Sequence, residues 1–481
     1  MADKNGIPFF EKYSGKETTI AKSKSNKLNL FDFTMIMVSL VIGMGIFRTP
    51  LNVAQASPNT FLFFSAWIAG GLVALCGALT FAEIGSRLPV TGGYYKIFSY
   101  AYHPSIAFAI NCVILVSNAA TLAAVALVGG EYITGIFIPL SKDTEWINSV
   151  ANFNYVQTVR IIIAITAIIV FYGVNLIGLR MSAKTQNVLT VIKIGLILLL
   201  IAPLFFSNGN AVIQHVAYTA GRPGFREYLK AFGIGLVAVS FTYGGYQQTI
   251  NFGAEVDNPA RNIPRGIFFG IAIIILLYLT INYAYIKVIG FDTLHRHDTK
   301  NIAAIMASKI FGINAERILS AFLFLSVLAY VNVLLMSNPR VMCAMSEDNI
   351  LPPVFKRRNR KTNTLVVSLS VFAAICILIL FWAKEFDKIL SFTIFLDCFG
   401  MILSAVAIFI LRKKTKHLHN TGIYKMSLFP LLPLIFIAAY VFIAISITLD
   451  YARNDYASLT GMLVLAAFAG LYFLLIKQKK N

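Results

Sequence analysis

Two hydrophobic segments are interrupted by glycines where backbone groups could bind a small charged molecule. The first, Ile42 to Phe47, reads Ile-Gly-Met-Gly-Ile-Phe, and the second, Phe241 to Tyr246, reads Phe-Thr-Tyr-Gly-Gly-Tyr. A helix interrupted inside a bilayer leaves N–H and C=O groups that are tolerated only where they line a cavity or contact a ligand. Free N–H groups suit an anionic group, and free C=O groups suit a cationic one. The alternative is that the glycines only let neighbouring helices pack closely.

A lysine within a hydrophobic run is the next candidate for chemistry. Lys193 lies roughly ten residues into its run, which is about 15 Å along a helix axis and close to the middle of a bilayer. A charge at that depth needs partners. An ammonium group that loses and regains its proton during a cycle could carry a proton, whereas a fixed ammonium could brace the first interrupted segment. Both interpretations remain open.

A carboxylate and several polar side chains also fall within hydrophobic runs. Asp397 could select cationic side chains, position water or pair with a cation from another segment. Ser117, Asn118 and Asn332 are candidate pocket residues, although each could equally form a hydrogen bond between two helices. The sequence therefore assigns Asp397 a candidate role in selectivity and leaves the three polar residues unassigned.

Other charged residues lie near the ends of hydrophobic runs. Arg48 follows the first interruption, where its long side chain could reach the membrane surface, and we interpret it as structural. Glu83 lies near Arg87, and Glu255 lies near Arg261. We interpret these acids as members of ion pairs rather than as ligands, and such pairs contribute little if they are exposed.

Histidine and cysteine positions argue against a metal centre. The six histidines all fall in predicted loops, so they cannot assemble an intramembrane metal site. The five cysteines lie in or at the ends of hydrophobic runs, without the paired spacing of a metal site or a disulfide framework. The sequence therefore predicts no metal, no cofactor and no enzymatic activity.

The composition is that of an integral membrane protein. Hydrophobic residues make up 58% of the 481-residue chain and charged residues only 13%, against about 25% charged residues in soluble domains. The mean hydropathy is +0.74. Apolar runs of about 20 residues can cross a bilayer as helices. They predict an all-α integral membrane fold with twelve transmembrane helices, at residues 31–56, 61–85, 105–130, 159–178, 184–206, 231–252, 266–289, 316–339, 364–383, 388–411, 428–448 and 457–476.

The distribution of positive charge predicts the orientation. The net charge is +20, and most of the 41 lysines and arginines fall on the side that holds the N-terminus, including the clusters at 356–361 and 412–414. The positive-inside rule therefore places both termini in the cytoplasm, with the protein in the cell membrane. The bilayer explains the charge better than a nucleic acid partner, which we exclude.

The spacing of the two interruptions predicts internal symmetry. They fall in the first and sixth predicted helices, which run in opposite directions, as inverted repeats require. Chance alignment of the glycines is the alternative. The predicted organisation is a cytoplasmic tail (1–29), a first five-helix repeat (30–210), a second, inverted five-helix repeat (230–412), helices 11 and 12 (427–477) and a cytoplasmic tail (478–481). Residues 300–311 are predicted to form an amphipathic helix, either a lid or a surface helix at the membrane interface.

Several short motifs follow one another along the chain. They are Gly-Met-Gly-Ile-Phe at 43–47, Phe-Ala-Glu-Ile-Gly at 81–85 followed by Pro89 and Gly-Gly-Tyr-Tyr at 92–95, the second interruption at 241–246, the stretch at 255–264, and Ser-Asn-Pro-Arg-Val at 337–341 leading to Asp348 and Leu351-Pro352. In this order they resemble one known family, the amino acid, polyamine and organocation (APC) permeases, in its amino acid transporter branch. The resemblance covers nearly the whole chain.

The resemblance implies a fold and a binding site. The fold would be LeuT-like, with two inverted five-helix repeats around a central amino acid site. The implied substrate-binding residues are Val41, Ile42, Gly43, Met44, Gly45, Phe241, Thr242 and Gly244, with Phe241 as an outer gate. Amides near Gly43 to Gly45 would take the carboxylate, and carbonyls of the other segment and of Val41 would take the amine. Met44 and Tyr246 depart from the residues usual in the family, Ser and Trp, which weakens any assignment of substrate.

The resemblance also implies a mechanism. Val191-Ile192-Lys193 resembles the stretch whose lysine occupies the place of a sodium ion in sodium-coupled relatives. The expected function is sodium-independent movement of amino acids by alternating access, as a proton symporter or an amino acid exchanger. A cationic amino acid or polyamine carrier and a non-transporting amino acid sensor are the alternatives. The expected partners are an amino acid, the lipid bilayer and, for a symporter, protons. The sequence does not indicate an oligomeric state.

Overall fold

The computed structural model describes residues 27–137, 155–206, 224–296, 302–381, 386–416, 423–449 and 457–480. Most of the predicted N-terminal tail lies outside these ranges, as do His215, His297, His417 and His419. The described part of the chain is helical and contains no β-strand beyond two isolated bridges.

The helices are numbered α1 to α17 in chain order. They are α1 Leu30–Val41, α2 Gly45–Ala56, α3 Thr60–Arg87, α4 Gly93–Ala101, α5 Pro104–Phe137, α6 Tyr155–Ile177, α7 Leu179–Ile201, α8 Pro203–Phe206, α9 Phe225–Tyr243, α10 Pro259–Ile289, α11 Phe291–Arg296, α12 Ile302–Phe311, α13 Ile313–Glu347, α14 Val366–Leu380, α15 Phe386–Lys414, α16 Leu431–Leu449 and α17 Ala457–Lys480. Short 3-10 helices cover Tyr246–Asn251, Gly253–Glu255 and Pro353–Lys356.

Many of these helices are suited to a membrane. Within the described ranges, nine segments are long and apolar enough to cross a bilayer, with α1 and α2 counted as one segment, and α14 and part of α17 are shorter apolar helices. Large apolar side chains on their outer surfaces, such as Leu72, Ile169 and Leu276, are exposed, as expected for surfaces that face lipid. The chain is therefore a multi-pass membrane protein. Helix α17 continues to Lys480, so residues 478–480 of the predicted C-terminal tail are helical.

Both predicted interruptions are confirmed. Helix α1 begins at a capping box, in which Asn29 and Asp32 bond each other's backbone, and it ends at Val41. The chain resumes as α2 at Gly45. Helix α9 ends at Tyr243, and Gly245 follows with φ of 108° before a 3-10 turn begins. A side chain on Gly245 would be strained at that φ and would overlap the carbonyl oxygen of Leu40, so only glycine fits there.

Helices of the first half pack against helices of the second half. Helix α2 packs against α9, α3 against α10, α5 against α13 and α6 against α14. The core between them is rich in buried aromatic side chains, and Trp67 contacts both Tyr243 and Tyr278 edge-on, at ring distances of 6.0 and 6.1 Å. This packing brings the two interruptions together at the centre of the bundle.

One end of the bundle, here called the Leu28 end, is held together by backbone bonds. The Leu28 amide donates to the Glu255 carbonyl at 2.7 Å, and the Asp257 amide donates to the Leu28 carbonyl at 2.9 Å. These two bonds join the residues before α1 to the segment after the second interruption, so the two halves of the chain are tied at this end.

Ion pairs reinforce the Leu28 end. Glu83 is fully buried and bonds both Arg87 at 2.8 Å and Arg412 at 2.7 Å, the second with two hydrogen bonds. The expected pairing of Glu255 is partly wrong. Its carboxylate bonds Arg340 at 2.6 Å and lies 3.7 Å from Arg358, rather than pairing with Arg261, because the α13 side of the bundle lies closer to it in space.

The opposite end, here called the Glu131 end, holds the predicted amphipathic helix. Arg48 and Arg160 lie 4.0 and 3.7 Å from the Glu131 carboxylate. Helix α12 packs against α2 and α13, and its buried face includes Ile302 and Met306. Of the predicted segment 300–311, residues 300 and 301 lie outside the described ranges, and the remainder is helical.

Candidate functional site

A small cavity lies where the two interruptions meet. Its volume is about 50 Å³. It is lined by Leu40, Val41, Gly43, Met44, Gly45, Asn118, Thr121, Val125, Ser240, Phe241, Thr242, Gly244, Gly245, Gln247, Gln248, Tyr330, Ile394, Asp397, Met401 and Tyr440. Every residue of the expected substrate-binding set except Ile42 is in this lining. The structure therefore brings seven of those eight residues to a single cavity.

The first interruption supplies amide donors. Helix α2 begins at Gly45, and the first N–H groups of a helix have no partner within it. Met44 and Gly45 both line the cavity. The Gly43 amide differs, because it donates to the Val41 carbonyl at 2.8 Å. The start of α2, rather than Gly43, therefore offers hydrogen-bond donors and the positive end of a helix dipole.

The carbonyl acceptors at the cavity are partly used by the protein. The Phe241 carbonyl accepts a hydrogen bond from the Gly244 amide at 3.2 Å. The Tyr278 hydroxyl lies 3.1 Å from the Val41 carbonyl and 3.3 Å from the Thr242 carbonyl, and it can donate to one of them at a time. Each carbonyl oxygen has two lone pairs, so the Thr242 carbonyl can accept a second donor while it is bonded to Tyr278.

The two interruptions touch backbone to backbone. A Cβ on Gly45 would lie 2.7 Å from the Thr242 Oγ1 and 3.0 Å from the Thr242 Cα. On the other side of the crossing, Gly245 lies against Leu40. Close packing and an interrupted backbone, which the sequence presents as alternatives, occur here together, because the glycines that end the helices also let the two segments touch.

Lys193 holds the end of α1. Its side chain is fully buried, and its Nζ donates to the Ile42 carbonyl and lies 3.3 Å from both the carbonyl and the hydroxyl oxygen of Ser39. The last carbonyls of a helix lack partners within it, and a cation is favoured at that end. Ile42, although predicted as a substrate ligand, therefore contacts this lysine instead of lining the cavity.

A network of side-chain amides extends from Ser39, the residue that Lys193 contacts. Gln186 donates to the Ser39 hydroxyl and to the Ala329 carbonyl at 3.1 Å. Asn332 donates to Gln186 at 2.6 Å and accepts a bond from Asn175 at 2.9 Å. These bonds join α1, α6, α7 and α13. Asn332 is therefore a helix-to-helix contact.

Two other candidates from the sequence fall at the cavity. Asn118 lines it, donates to Asn338 at 2.7 Å and accepts from Gln248 at 3.1 Å. Asp397 lines it from α15.

Sequence reasoning missed three tyrosines at or beside the site, Tyr278, Tyr330 and Tyr440. A buried tyrosine among apolar residues gives no periodic signal, so only the packing could identify them.

A larger cavity of about 190 Å³ opens at the Leu28 end. Its lining includes Ser182, Glu255, Arg340 and Arg358, and it shares no residue with the central cavity. The two cavities are therefore distinct spaces, and the polar larger one lies on the Leu28 side of the bundle.

Comparison with known proteins gives a family and relatives. Residues 28–471 match the amino acid permease family. The serine/threonine exchanger SteT of Bacillus subtilis (strain 168) is 26% identical over 459 residues, which cover 94% of this chain and 97% of SteT. The human cystine/glutamate transporter is 24% identical, with coverage of 95% and 86%. The Bacillus subtilis (strain 168) methylthioribose transporter is 27% identical, with coverage of 87% and 88%.

The family match spans the helices that form the central cavity and both interruptions. Its members are transporters rather than enzymes. With the multi-pass architecture, this shows that the chain belongs to the amino acid permease family.

Proposed function

We propose that this protein moves amino acids across the cell membrane by alternating access and does so without sodium, as a proton symporter or an amino acid exchanger. The observation that carries the proposal is the central cavity, where the start of α2 and the end of α9 meet. The family match supports it, and the names of SteT and the cystine/glutamate transporter describe amino acid transport by relatives.

The cavity suits the two charged groups of an amino acid. Amides at Met44 and Gly45 would bind the carboxylate, because they lie at the positive end of α2. Carbonyls of Phe241, Thr242 and Gly244 would bind the amine. The cavity has room for only a few water-sized groups at about 50 Å³. A whole amino acid therefore needs a lining side chain to move, and Phe241, at the edge of the interruption, is the candidate gate.

We further propose twelve transmembrane helices in two inverted five-helix repeats, residues 30–210 and 230–412, as in a LeuT-like fold. In this organisation α9 and the turn Tyr246–Asn251 form the sixth span, and α14 and α17 complete the set. Pairing of corresponding helices from the two halves supports a two-fold relationship. So do the contacts of Gly45 with Thr242 and of Gly245 with Leu40, because in each a glycine of one interruption lies against the helix end of the other.

The Leu28 end is proposed to face the cytoplasm, with both termini on that side. The basic residues Arg87, Arg340, Arg358 and Arg412 all lie there, in agreement with the positive-inside rule. The backbone bonds and ion pairs at this end would then form a closed cytoplasmic gate. Release of substrate into the cell requires that they separate.

The contacts of Lys193 support sodium independence. Its ammonium already contacts three oxygens from Ser39 and Ile42, as a small cation would. A sodium ion at the same place would have to displace a buried, hydrogen-bonded ammonium. Two coupling modes stay open: the buried lysine supports proton symport, and the name of SteT supports exchange.

Uptake into proteoliposomes tests the proposal. Radiolabelled amino acids are supplied in sodium-free buffer, with and without an inward proton gradient and with and without internal amino acid. We expect uptake that needs no sodium and that is stimulated by the gradient or by internal substrate. Uptake that requires sodium contradicts the proposal, as does transport of methylthioribose in preference to every amino acid. Binding without uptake under all conditions identifies a sensor.

A further inference from the structure

One carboxylate in the central cavity has no partner among the described residues. Asp397 of α15 lines the cavity and is partly exposed, and it lies within the apolar span Thr393–Lys414. In the described part of the chain, neither a hydrogen bond nor an ion pair reaches its oxygens. An ionised group at this depth is costly without a partner. The site is therefore incomplete as the protein alone presents it.

Lys193, a buried cation near the cavity, does not fill this role. Lys193 is held by Ser39 and Ile42, and it lies 6.0 Å from the ring centre of Tyr330 without pairing with Asp397. Tyr330 and Tyr440 line the same cavity as Asp397. Aromatic faces attract cations, and a carboxylate accepts strong hydrogen bonds from ammonium and guanidinium groups. The surroundings of Asp397 thus suit a positively charged group supplied from outside.

We propose that Asp397, Tyr330 and Tyr440 form a subsite for a positively charged side chain, so that cationic amino acids are the preferred substrates. This inference rests on the proposed function, because it assumes that the α-amino and α-carboxylate groups bind at the two interruptions. The side chain then extends toward α15. Met44 and Met401 also line the cavity, and their flexible side chains can move apart for a long substrate.

Binding and uptake of a substrate panel test the subsite. The panel contains arginine, lysine, alanine, serine, glutamate and the diamine putrescine, measured with the wild type, Asp397→Asn and Asp397→Glu. We expect the wild type to prefer arginine and lysine over alanine. Asp397→Asn should weaken binding of arginine and lysine by about 10- to 100-fold, the usual effect of losing a charged hydrogen-bond partner, and change alanine binding by less than about twofold. Asp397→Glu should keep part of the cationic preference.

Cys398→Ala is the matched control. Cys398 is the next residue, is buried and does not line the cavity, so its replacement changes the same helix without changing the subsite. It should leave the order of substrates unchanged. Thermal unfolding of each purified variant identifies any that fails to fold. If Asp397→Asn does not fold, the wild-type panel and Asp397→Glu decide the question.

The outcomes separate this inference from the proposed function. If the wild type binds no amino acid of any class, the proposed function fails. If it transports neutral or acidic amino acids in preference to cationic ones, or if Asp397→Asn keeps cationic binding, only the subsite is wrong. Preference for putrescine over lysine overturns the amino acid assignment at the interruptions. If Asp397→Asn removes the response to a proton gradient and leaves the substrate order unchanged, the carboxylate binds a proton and the subsite is rejected.

Discussion

Gly45 and Thr242 meet at the centre of the bundle so closely that a single added methyl group cannot fit between them. A Cβ on Gly45 would lie 2.7 Å from the Thr242 Oγ1 and 3.0 Å from its Cα. The nearest atoms include backbone, so the neighbour cannot simply rotate away. This contact fixes the relative position of the two interruptions and hence the shape of the cavity.

The first prediction concerns Gly45→Ala. The added methyl group must push the two interruptions apart, so we expect transport to fall by at least about tenfold, since near-contact geometry at a binding site tolerates little displacement. Initial uptake rates in proteoliposomes, normalised to reconstituted protein, measure the effect. Gly195→Ala is the control, because a Cβ on Gly195 of α7 meets nothing within 4 Å. Equal uptake by the two variants would show that the contact is unimportant.

Tyr278→Phe tests the hydroxyl that lies between the two interruptions. Without it, the carbonyls of Val41 and Thr242 lose a donor that can bond either of them. We expect substrate affinity to fall by about 3- to 10-fold, corresponding to one ordinary hydrogen bond. Equilibrium binding of the labelled substrate measures it. Tyr283→Phe on the same helix is the control, because that side chain is 50% exposed. Unchanged affinity in Tyr278→Phe would contradict this role.

Lys193→Met separates bracing from proton coupling. The variant keeps the apolar length of the side chain and leaves the oxygens of Ser39 and Ile42 without their donor, so we expect a loss of stability of about 1–3 kcal/mol. Thermal unfolding in detergent gives the stability. Exchange of labelled against unlabelled substrate at equal pH on both sides gives the transport cycle without a proton gradient. Exchange that persists while gradient-driven uptake disappears identifies a coupling lysine, and unchanged gradient-driven uptake rules that role out.

Glu83→Gln tests the ion pairs at the Leu28 end. Glu83 is fully buried between Arg87 and Arg412, so its neutral replacement leaves two arginines without their carboxylate. We expect the free energy of unfolding to fall by about 3–5 kcal/mol, which is the usual cost of removing one member of a buried ion pair. Glu347→Gln is the control, because the Glu347 side chain is 36% exposed and lies 3.5 Å from Lys96. Similar thermal unfolding of the two variants would contradict the prediction.

Local features of the fold could be predicted from the sequence where a residue type restricts the backbone conformation. Glycines in an apolar run give both interruptions, and seven of the eight expected residues line one cavity. Ile42 departs from the expectation, because its carbonyl bonds Lys193 rather than facing the cavity. The residue type at a position does not indicate which way its backbone carbonyl points. The contact between the Ile42 carbonyl and Lys193 therefore depends on where α7 packs and could not be predicted from the sequence.

The contacts between distant segments could not be predicted. Glu255 was expected beside Arg261, which is close in sequence, and instead bonds Arg340 across the bundle. Tyr278 reaches the site from α10, a helix whose sequence is otherwise typical of a membrane span. In both cases the deciding factor is how helices pack, and packing depends on many weak contacts that no short motif contains.

The crossing of the two interruptions also has a mechanical consequence. Leu40 with Gly245 and Gly45 with Thr242 are neighbouring contacts at one point, with rigid helices extending from it in both directions. In the proposed alternating access, the crossing would act as a pivot, because it is where the two interrupted segments touch. A rotation about it that separates the chain at Leu28 from Glu255 would press α2, which already packs against α9, more closely against that helix on the side of the Glu131 end. The two ends of the bundle would then open in turn while the individual helices keep their shape.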